Sequence, residues 1–139
     1  MVAYNKIEDF VNQLCQGNHD FNLDTINCYL SNAVPSTSLD TVKADLAEIT
    51  LENGYAAAQD TGNTFAEVTG TGTVTGTKIV ITASGGTIGP FQYVVLHNVT
   101  DDGLIAWWDY GSALTLQDGE TFSIKFNDSD TTGSILTVA

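Results

Sequence analysis

The chain has 139 residues, a length that fits one domain and allows a hydrophobic core without disulfide or metal cross-links. It carries 17 acidic residues and four lysines but no arginine, so its formal net charge is −13. Because nucleic acids and anionic membrane surfaces are bound through clustered cations, this charge argues against both as partners.

The N-terminal residues lack the basic and apolar regions of a secretory signal, and no stretch approaches the roughly 18 apolar residues of a membrane-spanning helix. We therefore expect a protein that folds in a cytoplasm. Cys15 and Cys28 are the only cysteines and form no CxxC motif. Both lie in apolar-patterned stretches, which predicts two buried, reduced thiols; one disulfide between them is the alternative.

One helical pattern lies near the N-terminus. Apolar residues recur there at the spacing of a single helix face, at Ile7, Phe10, Val11 and Leu14. This spacing predicts a helix over about 6–15, with Asn5 as the capping residue, Glu8 at the capping-box position and Gly17 as the stop.

From Phe21 onward the pattern changes to strands. Alternation predicts a first strand over about 24–31, and a short helix is expected over Leu39–Leu46. The Thr/Gly-rich stretch 61–77 is interpreted as exposed strands with glycine turns, because threonine favours strands. Further apolar runs predict strands at 78–82, 91–96, 104–108, 114–116, 122–126 and 135–138.

Strands spaced roughly ten residues apart, with Gly and Asp turns between them, are typical of a sandwich or barrel. The sequence therefore predicts a mainly β protein of one domain. We expect an antiparallel, jelly-roll-like β-sandwich over about 21–139, preceded by a helical segment over about 1–17.

No pattern in the sequence indicates a catalytic site. His19 and His97 have no serine or cysteine at a motif spacing, and Asp109 lacks the partner carboxylate that glycoside hydrolysis needs. We therefore predict no enzymatic activity, no catalytic residue and no cofactor.

The one calcium-like pattern is the stretch 128–133. It has oxygen-bearing side chains at the first, third and fifth positions of a calcium loop and Gly133 at the sixth. The twelfth position, where a bidentate glutamate is required, is Ala139. A polar hairpin turn is the favoured interpretation, weak calcium binding is the alternative, and no metal site is predicted.

Two strands are apolar on both faces, which is unusual for a sheet packed on one side only. In an extended strand over 104–110, Leu104, Ala106, Trp108 and Tyr110 would share one face, opposite Ile105, Trp107 and Asp109. Strand 91–96 behaves likewise. Either the N-terminal helix or a neighbouring subunit must cover the second face. The candidate interface side chains are Tyr93, Trp107, Trp108, Tyr110, Ile7 and Phe10.

Several segments resemble small proteins common in tailed bacteriophages. They are residues 83–96, 104–112 and 118–122, together with the short amphipathic helix, the strand that ends Leu30-Ser31-Asn32, Ala47-Glu48-Ile49 and Asn53-Gly54-Tyr55. The resemblance covers most of the chain. It departs at the turn 99–103, which is shorter here than in those relatives.

The resemblance implies a virion protein, assembled in the cytoplasm of the bacterial host. The expected function is capsid decoration or cement, in which the chain binds the major capsid protein and its own copies, as a dimer or trimer, and stabilises the head. One alternative is a tail or fibre component that contacts host surface glycans through the aromatic strand. Another is a small glycan-active enzyme, although the resemblance brings no catalytic motif.

Overall fold

The computed structural model describes residues 2–57, 59–129 and 131–139. Strands account for 43% of the chain and helix for 7%, which confirms the mainly β class with one short helix near the N-terminus. The elements are β1 (Asn5–Lys6), α1 (Asp9–Cys15), β2 (Ile26–Ser31), β3 (Thr64–Val68), β4 (Thr71–Gly76), β5 (Ile79–Thr82), β6 (Ile88–Asn98), β7 (Gly103–Leu116), β8 (Thr121–Ile124) and β9 (Gly133–Val138).

The strands form three antiparallel sheets. A four-stranded sheet has the order β1-β7-β6-β2, a three-stranded sheet β3-β4-β9, and a two-stranded sheet β5-β8. The main core draws buried side chains from all three, for example Leu96, Val74 and Ile81. The four-stranded sheet thus packs one face against the two smaller sheets in a sandwich-like arrangement.

The helix α1 is shorter than the sequence predicts because its expected first residues are used elsewhere. Asn5 and Lys6 pair with Trp107 and Ala106 of β7, and α1 begins only at Asp9. Asn5 therefore does not cap the helix; its side-chain amide donates to the carbonyl of Trp107 at 3.3 Å. No helix within the described residues has the length and apolar character needed to cross a membrane.

A bulge in β7 changes which of its side chains share a face. His97 pairs with Leu104 and Leu96 pairs with Ala106, so Ile105 is an extra residue in β7. Ile105 and Ala106 both enter the main core, whereas Leu104 lies on the opposite face with Trp107. The predicted strict alternation over 104–110 is therefore wrong on the N-terminal side of the bulge and correct from Ala106 onward.

The second face of the four-stranded sheet has its own small core. It consists of Ile7, Tyr29, Leu46, Val95 and Leu104, with Trp107 packed against its margin. Residues 32–52, which we call the covering segment, supply Leu46. The expected helix over Leu39–Leu46 is reduced here to a single 3₁₀ turn at Lys43–Asp45.

Backbone hydrogen bonds fix the covering segment to distant strands. The amide of Leu104 donates to the carbonyl of Thr41 at 2.9 Å, and the amide of Ile49 donates to the carbonyl of Leu30 at 3.0 Å. The N-terminal helix has a different role, because its one buried residue, Phe10, packs into the main core. The helical segment predicted over 6–15 thus contributes only Ile7, which precedes α1, to the cover of this face. The covering segment, which the sequence pattern does not predict, lies over the same face.

Candidate functional site

An open groove lined with aromatic side chains lies at one end of the sandwich. Tyr4 precedes β1, Trp108 and Tyr110 project from β7, Phe122 from β8, and Phe126 from the turn after β8. The groove has a volume of about 670 Å³. Alternation puts Trp108 and Tyr110 on one face of β7, so a local rule of strand geometry aims both rings into the same space. We call it the aromatic groove.

The rings hold one another in edge-to-face contacts. The ring centroids of Tyr4 and Trp108 lie 5.6 Å apart with planes at 71°, and those of Tyr110 and Phe122 lie 5.8 Å apart at 74°. The ring centroids of Phe126 and Trp108 lie 6.3 Å apart. Such contacts are favourable and restrict rotation, so the groove is largely formed before any partner arrives.

Polar groups surround the rings. Ser123, Lys125, Asn127, Asp128 and Ser134 line the same groove. The combination of a mostly aromatic wall with a few polar side chains is typical of a binding site.

The carboxylate that the aromatic strand suggests as functional, Asp109, forms hydrogen bonds within the fold. The Asp109 carboxylate accepts hydrogen bonds from the side chain of Gln92 at 3.0 Å and from the amide of Gly111 at 2.7 Å. Burial raises the pKa of Tyr4 to about 12, so its hydroxyl stays neutral at physiological pH. Asp109 thus holds the β6–β7 ladder in shape, and the groove offers aromatic rings, neutral polar groups and the charged side chains of Lys125 and Asp128 to a partner.

A second, smaller groove of about 360 Å³ continues the first. The two share Tyr4, Ser134 and Ile135. The second groove is lined by four consecutive residues of β9, Ser134–Thr137. Since neighbouring side chains of a strand point to opposite faces, contact with four in a row means that this groove runs along the edge of β9. We call it the edge groove.

The structure separates the six candidate interface residues. Trp108 and Tyr110 lie together in the aromatic groove, and Tyr110 is 52% exposed. Trp107 projects to the opposite face, where its ring meets Tyr93 edge to face at 5.8 Å. Ile7, Phe10 and Tyr93 are 0%, 5% and 6% exposed, so the fold of the single chain already buries them. Of these three, Phe10 also borders the edge groove.

The sequence interpretation missed Tyr4, Phe122, Phe126 and Ile135 as groove residues. A signal was present for two of them. Phe122 and Phe126 each lie two residues from Ile124, so alternation along a strand places all three on one face. Tyr4 and Ile135 carried no such signal. Their place depends on pairing between β1 and β7 and between β9 and β4.

The two histidines lie at the opposite end of the four-stranded sheet, near the β6–β7 turn. The side-chain amide of Asn98 reaches Nδ1 of His19 at 3.0 Å and the carboxylate of Asp24 at 2.7 Å. His97 lies 2.8 Å from the carboxylate of Asp102. Burial lowers the pKa of both rings, so at neutral pH the His97–Asp102 contact is a hydrogen bond from a neutral imidazole rather than an ion pair.

This arrangement is structural. His19 stacks against Phe21 with centroids 5.8 Å apart, and its Nε2 is buried without a hydrogen-bond partner among the residues that the structure describes. A Cβ at Gly103 would lie 2.8 Å from the same ring, so glycine is needed for the turn to close over it. His19 therefore fastens the loop before β2 to the β6–β7 hairpin, and His97 forms its hydrogen bond to Asp102 within that hairpin.

Among the described residues, no group of three or more histidine, cysteine, aspartate or glutamate side chains is placed to hold a metal ion. The calcium-like stretch 128–133 includes Asp130, which lies outside those residues. Both thiols are free. Cys28 is buried as expected, and burial raises the pKa of its thiol, whereas the expectation of burial is wrong for Cys15, which is exposed on α1.

Comparison with protein-family models, curated protein sequences and solved structures finds no match to this chain. The resemblance to phage proteins therefore stays a prediction.

Proposed function

We propose that this chain is a structural virion protein, of the decoration or cement type, which binds a phage head through protein–protein contacts made by the aromatic groove. The carrying observation is the convergence of five aromatic rings on one open groove of a small, strongly acidic domain. Tryptophan and tyrosine dominate the binding energy of protein interfaces because they bury a large area at low entropic cost.

The charge supports the same proposal. A net charge of −13 keeps the free subunit soluble and works against binding to nucleic acid inside or outside the head. The groove rings belong in part to the segments that resemble phage proteins, namely 104–112 and 118–122. We further propose that copies of the chain associate on the particle as a dimer or trimer, next to the major capsid protein.

The direct test is binding of the purified chain to head shells that lack it, measured by co-sedimentation. Tyr110→Ala should weaken binding by about tenfold, since the ring is exposed in the free chain and supplies part of the groove. Phe65→Ala, which removes another exposed ring on β3, is the matched control and should bind as the wild type does. Loss of binding in both variants, or in neither, would contradict the proposal.

A tail or fibre component that binds host glycans is the second candidate. One observation favours it: Asn127, Asp128 and Ser123 stand beside the exposed rings, as polar groups do in sites that orient a hydroxyl-rich ligand. Titration with neutral oligosaccharides, followed through the combined fluorescence of Trp107 and Trp108, separates the two candidates. Saturable binding that Tyr110→Ala abolishes would favour the tail function.

A further inference from the structure

We propose that the partner enters the edge groove as an extended peptide segment that adds a strand to the free edge of β9. This inference rests on the proposed function, in which a protein docks at the grooves, and it specifies how the docking is made. In strand addition, main-chain hydrogen bonds supply affinity and alternate side chains fill pockets.

The edge of β9 is open on the side away from β4. β9 ends the three-stranded sheet, and within the described residues it forms no backbone hydrogen bond to any segment except β4. Four of its residues in succession border the edge groove. Unpaired backbone groups can bond to an incoming strand. Because these groups border a groove, the incoming strand would also gain side-chain contacts with the groove walls.

Two of the other outer strands, β2 and β3, are protected. β2 is closed by the chain itself, because the amide of Cys28 donates to the carbonyl of Gln59 at 2.9 Å and the amide of Thr61 donates to the carbonyl of Ile26 at 3.0 Å. β3 carries Glu67, and charge on an edge discourages pairing. β9, with the sequence GSILTV, has neither a charged residue nor a proline.

A bulge at Ile135 limits where the pairing falls. Leu136 pairs with Val74 and Ser134 with Thr75, so Ile135 is an extra residue, and both Ile135 and Leu136 enter the main core. The regular run beyond the bulge is Leu136–Val138. We therefore place the new ladder along Leu136–Val138 and the continuation of the peptide in the aromatic groove.

The walls of the edge groove suit an extended segment with apolar side chains at alternate positions. Phe10, Ile135 and Leu136 supply apolar lining, and Tyr4 and Lys6, two residues apart in the N-terminal stretch, line the same groove. Inward-pointing side chains of an added strand would lose water against this wall, while outward-pointing ones would stay in solvent.

Charge decides between another protein and a second copy as the occupant. Two copies, each of net charge −13 and without arginine, repel one another at long range. A segment flanked by Lys or Arg is attracted by the same field. The occupant is therefore an extended segment of a different protein, apolar at alternate positions and basic at its ends.

The probe for this inference is a synthetic peptide of about ten residues with alternating valine and threonine and a lysine at each end. Its control has the same side chains with alternate backbone amides N-methylated, which removes donors and keeps the apolar groups. Hydrogen exchange of the full chain should slow by about tenfold or more at Leu136–Val138 with the first peptide only. Binding without slower exchange there, or equal binding of both peptides, would overturn the inference.

A pair of variants tests the edge itself. Thr137→Lys places a charge on the exposed edge of β9, and Val68→Lys places the same charge on β3 at the other side of the same sheet. We expect Thr137→Lys to weaken peptide binding by about tenfold and Val68→Lys by less than about twofold, at low and at high salt. Equal effects of the two lysines would show a charge effect alone and would count against strand addition. Thermal unfolding of each variant checks that it folds.

Head shells separate failure of this inference from failure of the proposed function. If shells bind the chain but exchange at Leu136–Val138 is unchanged, strand addition is wrong and the decoration function stands. If the peptide protects β9 but shells do not bind, the decoration function is wrong and the strand site stands. If β9 becomes protected in the free chain as its concentration rises, the occupant is a second copy and the proposed basic partner is wrong.

Discussion

Trp107 and Trp108 are neighbours in the chain, yet they lie in two different environments. Trp107 points to the face of the four-stranded sheet that the covering segment closes, beside Leu104 and Leu46. Trp108 points to the face that opens into the aromatic groove, against Tyr4 and Phe126. Both rings are partly buried, Trp108 against the main core and Trp107 against the core of the second face. The two faces differ in whether the chain lays a further segment over them.

The largest expected effect is on the closed face. Trp107→Ala should lower the free energy of unfolding by about 3 kcal/mol, because it removes a large ring that packs against the core of the second face and against the ring of Tyr93. Urea denaturation followed by circular dichroism measures it. Leu39→Ala, on the same covering segment but 78% exposed, is the control and should change stability by less than about 0.5 kcal/mol.

The next effect is on the open face. Trp108→Ala should weaken association with head shells by about 2 kcal/mol, close to a thirtyfold change in Kd, while its loss of folding stability stays smaller than that of Trp107→Ala. Co-sedimentation and urea denaturation of the same samples give both values. If both tryptophan variants lose only folding stability, and the wild type is monomeric and does not bind particles, the interface hypothesis fails.

A smaller effect should come from acidification. The folded state lowers the pKa of His19 and His97 below the ordinary value of 6.5, chiefly by burial. The unfolded chain therefore takes up protons first, and stability that is present above pH 6.5 is lost as the pH falls from there toward 5. Near His97, the Asp102 and Glu48 carboxylates oppose this loss and the Lys43 ammonium adds to it.

The pH effect is measured as the urea midpoint between pH 7 and pH 5. The double variant His19→Gln, His97→Gln should be less stable at pH 7 but nearly independent of pH over that window. An equally steep loss in the double variant would assign the effect to carboxylates instead.

The mildest test uses the two thiols as reporters. Cys15, exposed on α1, should react with an alkylating reagent in the native state. Its alkylation should change the free energy of unfolding by less than about 0.5 kcal/mol. Cys28, buried in the main core with a raised thiol pKa, should react only when the chain opens. Trp107→Ala should therefore speed Cys28 labelling more than Trp108→Ala does. The reverse order would contradict the assignment of closed and open faces.

Much of the fold was predictable because apolar runs, turn residues and alternation are local properties. Apolar runs predict strands inside β6, β8 and β9, and they predict two strands, 104–108 and 114–116, where the structure has the single strand β7. Alternation then puts every second side chain of a strand on the same face. The same rule put Trp108 and Tyr110 on one face, which is the part of the site that the sequence predicts correctly.

Three features depended on contacts between residues far apart in sequence. The first is the start of α1, since Asn5 and Lys6 satisfy helix signals but gain strand hydrogen bonds with β7 instead. The second is the bulge at Ile105, which shifts the phase of β7 without any local mark in its sequence. The third is the identity of the cover, because the covering segment has little regular structure and is held by bonds such as that between Leu104 and Thr41.

Local sequence patterns are enough to predict the β class, the positions of most strands and the shared face of Trp108 and Tyr110. Contacts between distant parts of the chain settle which apolar face is closed and which is left as a groove. The physical reason is that burial is a property of the pair of surfaces that meet. The pattern of a strand indicates that a face is apolar. Whether the covering segment, a helix or a partner lies on that face depends on long-range backbone hydrogen bonds, which produce no periodic pattern in the sequence.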